Sequence, residues 1–230
     1  MFAWLPENVS TFGGDIDSIF RFIYYIVGFW FLATQGFLIY CLIRFRRGRG
    51  GRTPYLHGNN LAQAAWILVP LVFVLVLDLW IDFRSADVWA RVKIGSPKPE
   101  VTVEVLGKQF NWIVTYPGPD GKFGTADDKK VENELHVPAG KVVQVVLKGE
   151  DVIHSFFLPH LRLKQDVVPG RAIKAWFQAT KPGKWEIPCA ELCGVGHSGM
   201  KGWLFVHPEA EYKAWSARLW PGTQSARAVP

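Results

Sequence analysis

Cysteine and methionine are scarce in this chain of 230 residues. It has three cysteines, of which only Cys189 and Cys193 lie close together, and two methionines, of which only Met200 lies inside the chain. So few cysteines exclude a small scaffold held together by several disulfides. The one close pair indicates either a single disulfide or a metal site.

Charged side chains are absent from two long stretches near the N-terminus. Residues 22–43 contain none in 22 positions, and residues 58–77 contain none in 20. A helix of ~20 apolar residues spans the hydrocarbon core of a bilayer. We therefore expect two transmembrane helices, at about 19–43 and 61–81, joined as a hairpin by a short loop. This pattern excludes a plain cytosolic enzyme and a disordered chain.

Lysine and arginine are absent from the first 18 residues, which carry three acids. A secretory signal peptide needs a basic start, so we do not expect one here. The loop between the spans carries five basic residues and no acid: Arg44, Arg46, Arg47, Arg49 and Arg52. The positive-inside rule predicts that this loop is cytoplasmic and that both termini lie on the periplasmic side of a bacterial-type inner membrane. This position explains the charge, so we expect no nucleic-acid partner.

From Val101 onward the pattern changes to short segments in which apolar and polar residues alternate, each bounded by proline or glycine. Such segments are typical of a small β-sandwich or Greek-key barrel. The fold class we predict is a membrane α-helical hairpin followed by an all-β Greek-key sandwich. The predicted parts are an external N-terminus (1–18), the hairpin (19–83) with its cytoplasmic loop (44–57), a linker (84–100), the β domain (101–207) and a C-terminal tail (208–230).

Potential metal ligands cluster late in the β domain. Cys189, Cys193, His197 and Met200 follow one another within twelve residues, and His154 lies 35 residues before the first of them. Thiolates, imidazoles and a thioether suit copper far better than magnesium or calcium. A disulfide would leave the other residues unexplained, and zinc sites do not use methionine. Two thiolates in one loop are enough to bridge a pair of coppers.

The pattern Cys-x-Glu-x-Cys-x-x-x-His-x-x-Met behind a two-span hairpin resembles subunit II of the cytochrome c oxidases, in the haem–copper oxidase superfamily. Residues 66–70 and 163–171 also match that family. The resemblance implies a cupredoxin-like domain with a dinuclear CuA centre. Its implied ligands are the bridging Cys189 and Cys193, the terminal His154 and His197, and, more weakly, Met200 and the backbone carbonyl of Glu191. The resemblance also implies that the Glu191 side chain lies near a magnesium at the boundary with subunit I.

The resemblance implies a function as well. Such a subunit accepts electrons from cytochrome c and passes them to the haem–copper site of subunit I, where oxygen is reduced, and catalyses nothing by itself. Its implied partners are subunit I, the other oxidase subunits, membrane lipid, and a donor that is cytochrome c or a fused or associated haem domain. Two alternatives stay open: the CuA subunit of a nitric oxide reductase, and a membrane-anchored copper carrier or sensor.

Two positions depart from the family pattern. The family has Gln-Trp-x-Trp where electrons enter, whereas this chain has Phe110 and Trp112 at the two aromatic positions. Gln63 stands where an acid commonly opens a proton channel, and an amide cannot shuttle protons as a carboxylate can. We expect electrons to enter near Phe110 and Trp112. Residues 84–230 hold 20 basic and 15 acidic side chains, a net charge of +5, which predicts an acidic or neutral donor.

Overall fold

The computed structural model describes residues 5–46, 55 and 57–221. Three arginines of the basic loop (Arg47, Arg49 and Arg52), together with residues 1–4 and 222–230, lie outside the described residues. The chain divides into two compact units, Asp15–Ala90 and the remainder. The first is helical, and the second contains the β domain together with the N-terminal segment.

Among the described residues, two helices are long and apolar enough to cross a membrane: α1, Gly13–Arg44, and α2, Leu61–Trp89. A helix suits that environment because all its backbone hydrogen bonds are internal. Both helices are longer than the apolar runs that predicted them. After α2, the turn Ala90–Ile94 continues in π-helical form, so the prediction of a linker beginning at Arg84 is wrong for its first part.

The start of α2 is a reciprocal cap. The Asn60 side chain accepts a hydrogen bond from the Gln63 N–H at 2.9 Å, and the Gln63 side-chain oxygen accepts one from the Gly58 N–H at 2.6 Å. Caps of this kind satisfy backbone donors that have no partner inside the helix. Gln63 therefore has a structural role at the first turn.

The β domain contains ten strands in two main sheets and a hairpin. The strands are β1 Val101–Lys108, β2 Asn111–Tyr116, β3 Lys129–Glu132, β4 Glu134–Pro138, β5 Val142–Gly149, β6 His154–Leu158, β7 Leu163–Val167, β8 Ala172–Gln178, β9 Gly183–Pro188 and β10 Lys201–His207. The sheet orders are β3-β2-β1-β5-β8 and β4-β10-β9, and β6 pairs with β7. The pairs β1/β5 and β4/β10 are parallel, and the other pairs are antiparallel. The predicted all-β sandwich is confirmed.

Alternate residues of the central strands form the core between the sheets. On β1 and β5 the inward residues are valines and one leucine, and β10 contributes two more: Val103, Val105, Val143, Val145, Leu147, Leu204 and Val206. Strand geometry points successive side chains to opposite faces, so the alternation in the sequence becomes one buried face. Burying such side chains stabilises the fold by roughly 25 cal/mol per Å² of apolar surface.

The N-terminal segment before α1 packs on the β domain. The Val9 N–H donates to the His160 carbonyl at 2.9 Å, and the Thr180 N–H donates to the Val9 carbonyl at 2.8 Å. Val9 itself is buried, and the Phe12 ring packs edge-on against Trp176 at 5.2 Å. The segment and the domain that follows α2 therefore form one packed unit.

The C-terminal tail begins with helix α3, Glu209–Leu219. Trp215 of α3 packs against Tyr116, with ring centroids 5.0 Å apart. Trp220, directly after the helix, donates its indole N–H to the Asp127 carbonyl at 2.8 Å. The helix is thus attached to the sandwich along its length.

Candidate metal centre

The predicted ligands come from two places that the sheet brings together. His154 is the first residue of β6, while Cys189, Cys193 and His197 lie in the loop between β9 and β10 and Met200 ends it. The antiparallel pairing of β9 with β10 closes this loop at its base, where the Cys189 N–H donates to the Met200 carbonyl at 3.1 Å. A bridge between Phe156 and Cys189 attaches β6 to the same loop. We call residues 189–200 the ligand loop.

The two sulfurs stand at the middle of the group, 3.9 Å apart. The Cys189 Sγ lies 3.9 Å from the His154 Nδ1, and the Cys193 Sγ lies 3.7 Å from the His197 Nδ1. Each sulfur has a further neighbour: the Glu191 carbonyl oxygen is 3.3 Å from Cys189, and the Met200 Sδ is 3.7 Å from Cys193. Each sulfur therefore has one imidazole and one weaker donor beside it.

Most of the group is buried, and its chemistry suits a metal cation. His154 is 0% exposed, and Cys189, Cys193 and Met200 are buried. Burial raises the pKa of Cys193, and the neighbouring Cys189 raises it further, because a second negative charge is unfavourable there. A soft metal cation would replace the thiol protons and balance that charge. The donor set thus fits copper, and His154, Cys189 and Cys193 form the only such group of three in the described part of the chain.

Asp151 fixes the orientation of His154. Its Oδ1 lies 2.8 Å from the His154 Nε2 and accepts the Val152 N–H at 2.7 Å, while its Oδ2 accepts the Gln109 N–H at 2.8 Å. Burial favours the neutral acid, but these hydrogen bonds outweigh it and hold the pKa of Asp151 at about 2. A carboxylate at Nε2 keeps the proton there and leaves the Nδ1 lone pair directed at Cys189. Asp151 was not predicted as part of the site.

Phe110 and Trp112 occupy different environments. The Phe110 ring lies against the ligand loop, where a Cβ on Gly194 would come within 3.1 Å of it, and the Gln109 side chain donates to the Cys193 carbonyl at 2.5 Å. Trp112 is 1% exposed and donates its indole N–H to the Ile187 carbonyl at 3.1 Å. Phe110 thus touches the loop from outside, and Trp112 is a core residue beneath His154, whose ring lies 6.0 Å away.

Glu191 and two apolar residues of the ligand loop face outward. The Glu191 side chain is exposed, and only its carbonyl oxygen faces the sulfurs. Leu192 is 77% exposed and Val195 is 101% exposed, and the neighbouring loop adds the exposed Val152 and Ile153. We call these four apolar residues the apolar rim. Among the described residues, Glu191 joins no cluster of metal-ligating side chains, so its magnesium remains a prediction.

Comparison with known proteins agrees with the motif. Residues 101–204 match the family model described as cytochrome c oxidase subunit II, periplasmic domain. The chain is 32% identical over 270 residues to the cytochrome c oxidase subunit 2 of Synechocystis sp., covering 98% of this chain and 78% of that protein. It is 31% identical over 239 residues to the alternative cytochrome c oxidase subunit 2 of Bradyrhizobium diazoefficiens, covering 92% and 82%.

A solved structure is also similar. The crystal structure of the periplasmic domain of subunit II of cytochrome oxidase (CoxB) of Bradyrhizobium japonicum has 35% sequence identity and a TM-score of 0.48, covering 54% of this chain and 96% of that one. The two full-length relatives extend the likeness over both apolar helices and the β domain. The chain therefore belongs to the cytochrome c oxidase subunit 2 family, as a subunit of an oxidoreductase complex with two candidate membrane helices and a β-sandwich domain.

Proposed function

We propose that this chain is the subunit through which electrons enter a membrane terminal oxidase. It accepts them from cytochrome c at a dinuclear CuA centre and passes them to the haem–copper site of subunit I for oxygen reduction. The observation that carries the proposal is the buried pair of sulfurs 3.9 Å apart, with a separate imidazole beside each. A mononuclear blue-copper site uses one thiolate, so the second sulfur has a purpose only if two metals share the pair.

The chain's own residues define the roles. Cys189 and Cys193 would bridge the coppers, His154 and His197 would be the terminal ligands, and Met200 and the Glu191 carbonyl would bind weakly. When bound, the copper pair supplies a carrier for one electron. The protein holds the donors in place, keeps His154 in one tautomer through Asp151, and excludes water.

We assign the point where electrons enter to the Phe110 side of the ligand loop. Phe110 touches that loop from outside, and Trp112 lies beneath His154. The apolar rim beside them offers a docking surface for the donor, which is cytochrome c or an associated haem domain. We further propose that the exposed Glu191 carboxylate binds magnesium at the boundary with subunit I, where both partners supply ligands.

The proposed orientation follows the charge pattern. Arg44 and Arg46, at the cytoplasmic end of α1, belong to the basic loop predicted inside the cell. The N-terminal segment is packed on the β domain, which supports a common, periplasmic side for both. Lipid would surround α1 and α2, whose apolar side chains are largely exposed in the isolated chain.

Among the alternatives, the structure argues against a copper carrier or sensor. Such a protein must exchange its metal readily, whereas His154, Cys189 and Cys193 are buried here and His154 is held by Asp151. The alternative of a nitric oxide reductase subunit stays open, because Gln63 stands where the family commonly has the acid of a proton channel. In this chain Gln63 caps the start of α2. Comparing oxygen with nitric oxide consumption by the purified complex separates these two reactions.

The test of the centre uses copper-loaded full-length chain. We expect two coppers per chain, a purple colour and a paramagnetic signal from one electron shared by two nuclei. Cys193→Ser should abolish the shared signal, whereas Cys41→Ser, which removes the one cysteine outside the site, should leave it unchanged. A single copper with a blue spectrum would refute the dinuclear centre.

A further inference from the structure

Two imidazoles meet at the end of the sandwich where β4 and β10 run side by side. The His136 Nδ1 and the His207 Nε2 are 2.9 Å apart, and the ring planes differ by 6° with centroids 5.2 Å apart. The distance between the ring centroids is longer than the Nδ1–Nε2 distance by about the width of one imidazole ring. The two rings therefore lie edge to edge in one plane. His136 is 7% exposed, so this end of the pair is buried.

The outer nitrogens of the pair face carboxylates from two different elements. The Glu134 Oε2, on β4, is 3.1 Å from the His136 Nε2, and the Glu211 Oε2, on α3, is 3.8 Å from the His207 Nδ1. Phe205 of β10 and Trp215 of α3 lie parallel to the His136 ring, each with its centroid 4.5 Å away. The pair therefore joins the C-terminal helix to the sheet through both charge and ring contacts.

The number of protons on the pair decides whether this contact holds. Because the Glu134 carboxylate accepts hydrogen bonds, we assign the proton of His136 to its Nε2, and its Nδ1 then accepts the Nε2–H of His207. The His207 Nδ1 faces the Glu211 carboxylate, 3.8 Å away. A proton added to the His136 Nδ1 would direct two N–H donors at each other across 2.9 Å.

The surrounding groups oppose that last proton. Burial lowers the pKa of His136 most, Glu134 opposes that shift, and His207 and Arg218 lower the pKa further. The nearby hydroxyls stay neutral, because burial raises the pKa of Tyr212 to about 12 and raises that of Tyr116 as well. From β9, the Lys184 ammonium lies 4.9 Å from the Phe205 ring centroid and adds a positive charge on that side.

We propose that the His136–His207 pair is an acid-sensitive clasp that holds α3 against the sheet near neutral pH and releases it when the His136 Nδ1 is protonated. A metal ion does not fit the axis, because two metal–nitrogen bonds of about 2.0 Å each need the nitrogens about 1 Å farther apart. Release of α3 would uncover Tyr116 and Phe205 and free the Trp220 contact with Asp127.

The clasp would report the acidity of the compartment around the β domain. That physiological interpretation rests on the proposed function, which assigns the domain to the periplasmic side. The clasp itself does not, because it lies on residues that take no part in the copper centre. Its failure and a failure of the copper proposal are therefore measured separately.

Hydrogen exchange of the α3 amides tests the clasp, measured by mass spectrometry on the full-length chain from pH 8 to pH 5 and corrected for the intrinsic exchange rate. With the clasp closed, the folded state binds one proton fewer than the unfolded state at acidic pH. The stability of the α3 contact therefore falls as the pH drops below the ordinary histidine pKa of ~6.5. We expect protection of residues 209–219 to fall by up to about tenfold per pH unit there. Protection that stays constant over this range would overturn the proposal.

Two variants make the test specific. His207→Gln keeps an N–H donor for His136 and can also turn its oxygen toward a protonated Nδ1, so its α3 protection should fall less steeply with decreasing pH than that of the unaltered chain. Glu209→Gln removes a charge from the same helix outside the clasp, where Glu209 pairs with Lys213 at 2.7 Å, and should keep the profile of the unaltered chain. An acid loss as steep in His207→Gln as in the unaltered chain, or loss of protection at pH 7 after metal chelation, would overturn the proposal.

Discussion

At the scale of single residues, Asp151 accepts three N–H groups with two oxygens and so connects a predicted ligand to the turn that carries Phe110. Asp151→Asn replaces one carboxylate oxygen by an NH₂ group, which cannot accept the hydrogen bond that this oxygen accepted. The variant also removes a negative charge close to the metal, which favours the reduced state. We expect the reduction potential of the copper-loaded chain to rise, on the order of 59 mV for a tenfold change in the one-electron equilibrium.

Potentiometric titration measures this shift. Glu150→Gln is the matched control, because Glu150 is an exposed acid of the same loop next in sequence. Both variants remove one charge, but only Asp151→Asn disturbs the hydrogen bonds. Equal shifts in the two variants would mean that Asp151 acts through its charge alone.

The lowered pKa of Asp151 predicts an acid-dependent term in stability. The folded chain holds the pKa of this carboxyl at about 2, below its ordinary pKa of 3.8. The hydrogen bonds to the carboxylate therefore stabilise the fold fully above pH 3.8, and that contribution is lost as the pH falls toward 2. The copper-free chain should therefore lose melting temperature between pH 4 and pH 2 more steeply than its Asp151→Asn variant. Parallel curves would contradict this assignment.

Met200 permits a test of the weak ligand. Its side chain is buried and its Sδ is 3.7 Å from the Cys193 Sγ. Met200→Leu nearly conserves volume, so we expect the domain to fold and retain copper, with a shifted potential. Copper analysis together with potentiometry checks both results. Loss of one copper would mean that Met200 is an essential ligand.

The sequence was sufficient to single out the side chains that the fold brings together around the two sulfurs, but not their supports. Cysteine, histidine and methionine at close spacing predict a soft metal site. Asp151 and Gln109 stand 42 residues apart, and His136 and His207 stand 71 apart. These partners meet only through the register of the strands, which no local pattern encodes.

At the scale of elements, the uncharged stretches of the sequence predicted the two long apolar helices but not where these helices end. α2 continues past Asp82, Arg84 and Asp87 to Trp89, because a helix that has left the hydrocarbon core no longer needs apolar side chains. Strands β3, β6, β7 and β9 were not predicted. They are short, from four to six residues, so little alternation exists to detect.

The cap of α2 predicts the effect of changing Gln63. Gln63→Glu retains an oxygen that accepts the Gly58 N–H, so the helix start should stay intact. Gln63→Ala removes that oxygen and should weaken the cap, by about 1 kcal/mol or less. If the partner is a proton-pumping oxidase that lost this path, Gln63→Glu changes oxygen turnover modestly. A large loss of turnover in Gln63→Glu, with assembly intact, would contradict this interpretation.

At the scale of the whole molecule, the charge of residues 84–230 and the apolar rim predict that the proposed donor docks mainly by apolar contact. A net charge of +5 over residues 84–230 steers basic proteins poorly. We expect donor oxidation to fall little between low and physiological ionic strength, where the screening length shortens to ~8 Å. Val195→Asp, at the most exposed rim position, should slow the reaction at both salt concentrations.

Steady-state kinetics of donor oxidation by the intact complex, at low and at physiological salt, tests this prediction. Ser198→Asp places the same charge on an exposed polar position of the ligand loop and serves as the control. A steep fall in rate with salt, with a strongly basic cytochrome c as the best donor, would show that a local acidic patch governs docking. An equal effect of both aspartates would show that charge, not lost apolar contact, is responsible.

The spacing of the proposed ligands along the chain would make a bound metal a cross-link. His154 and Cys189 are separated by 35 residues, and the stretch between them contains β7, β8 and β9. Copper bound at both ends would close this stretch into a ring and reduce the freedom of the unfolded chain, as a disulfide does. Because the bound metal stabilises the folded state by mass action, resistance to heat should rise with the available copper. We therefore expect the copper-free chain to unfold first at the bridge between β6 and the ligand loop. This form should also be more sensitive to proteases than the copper-loaded chain.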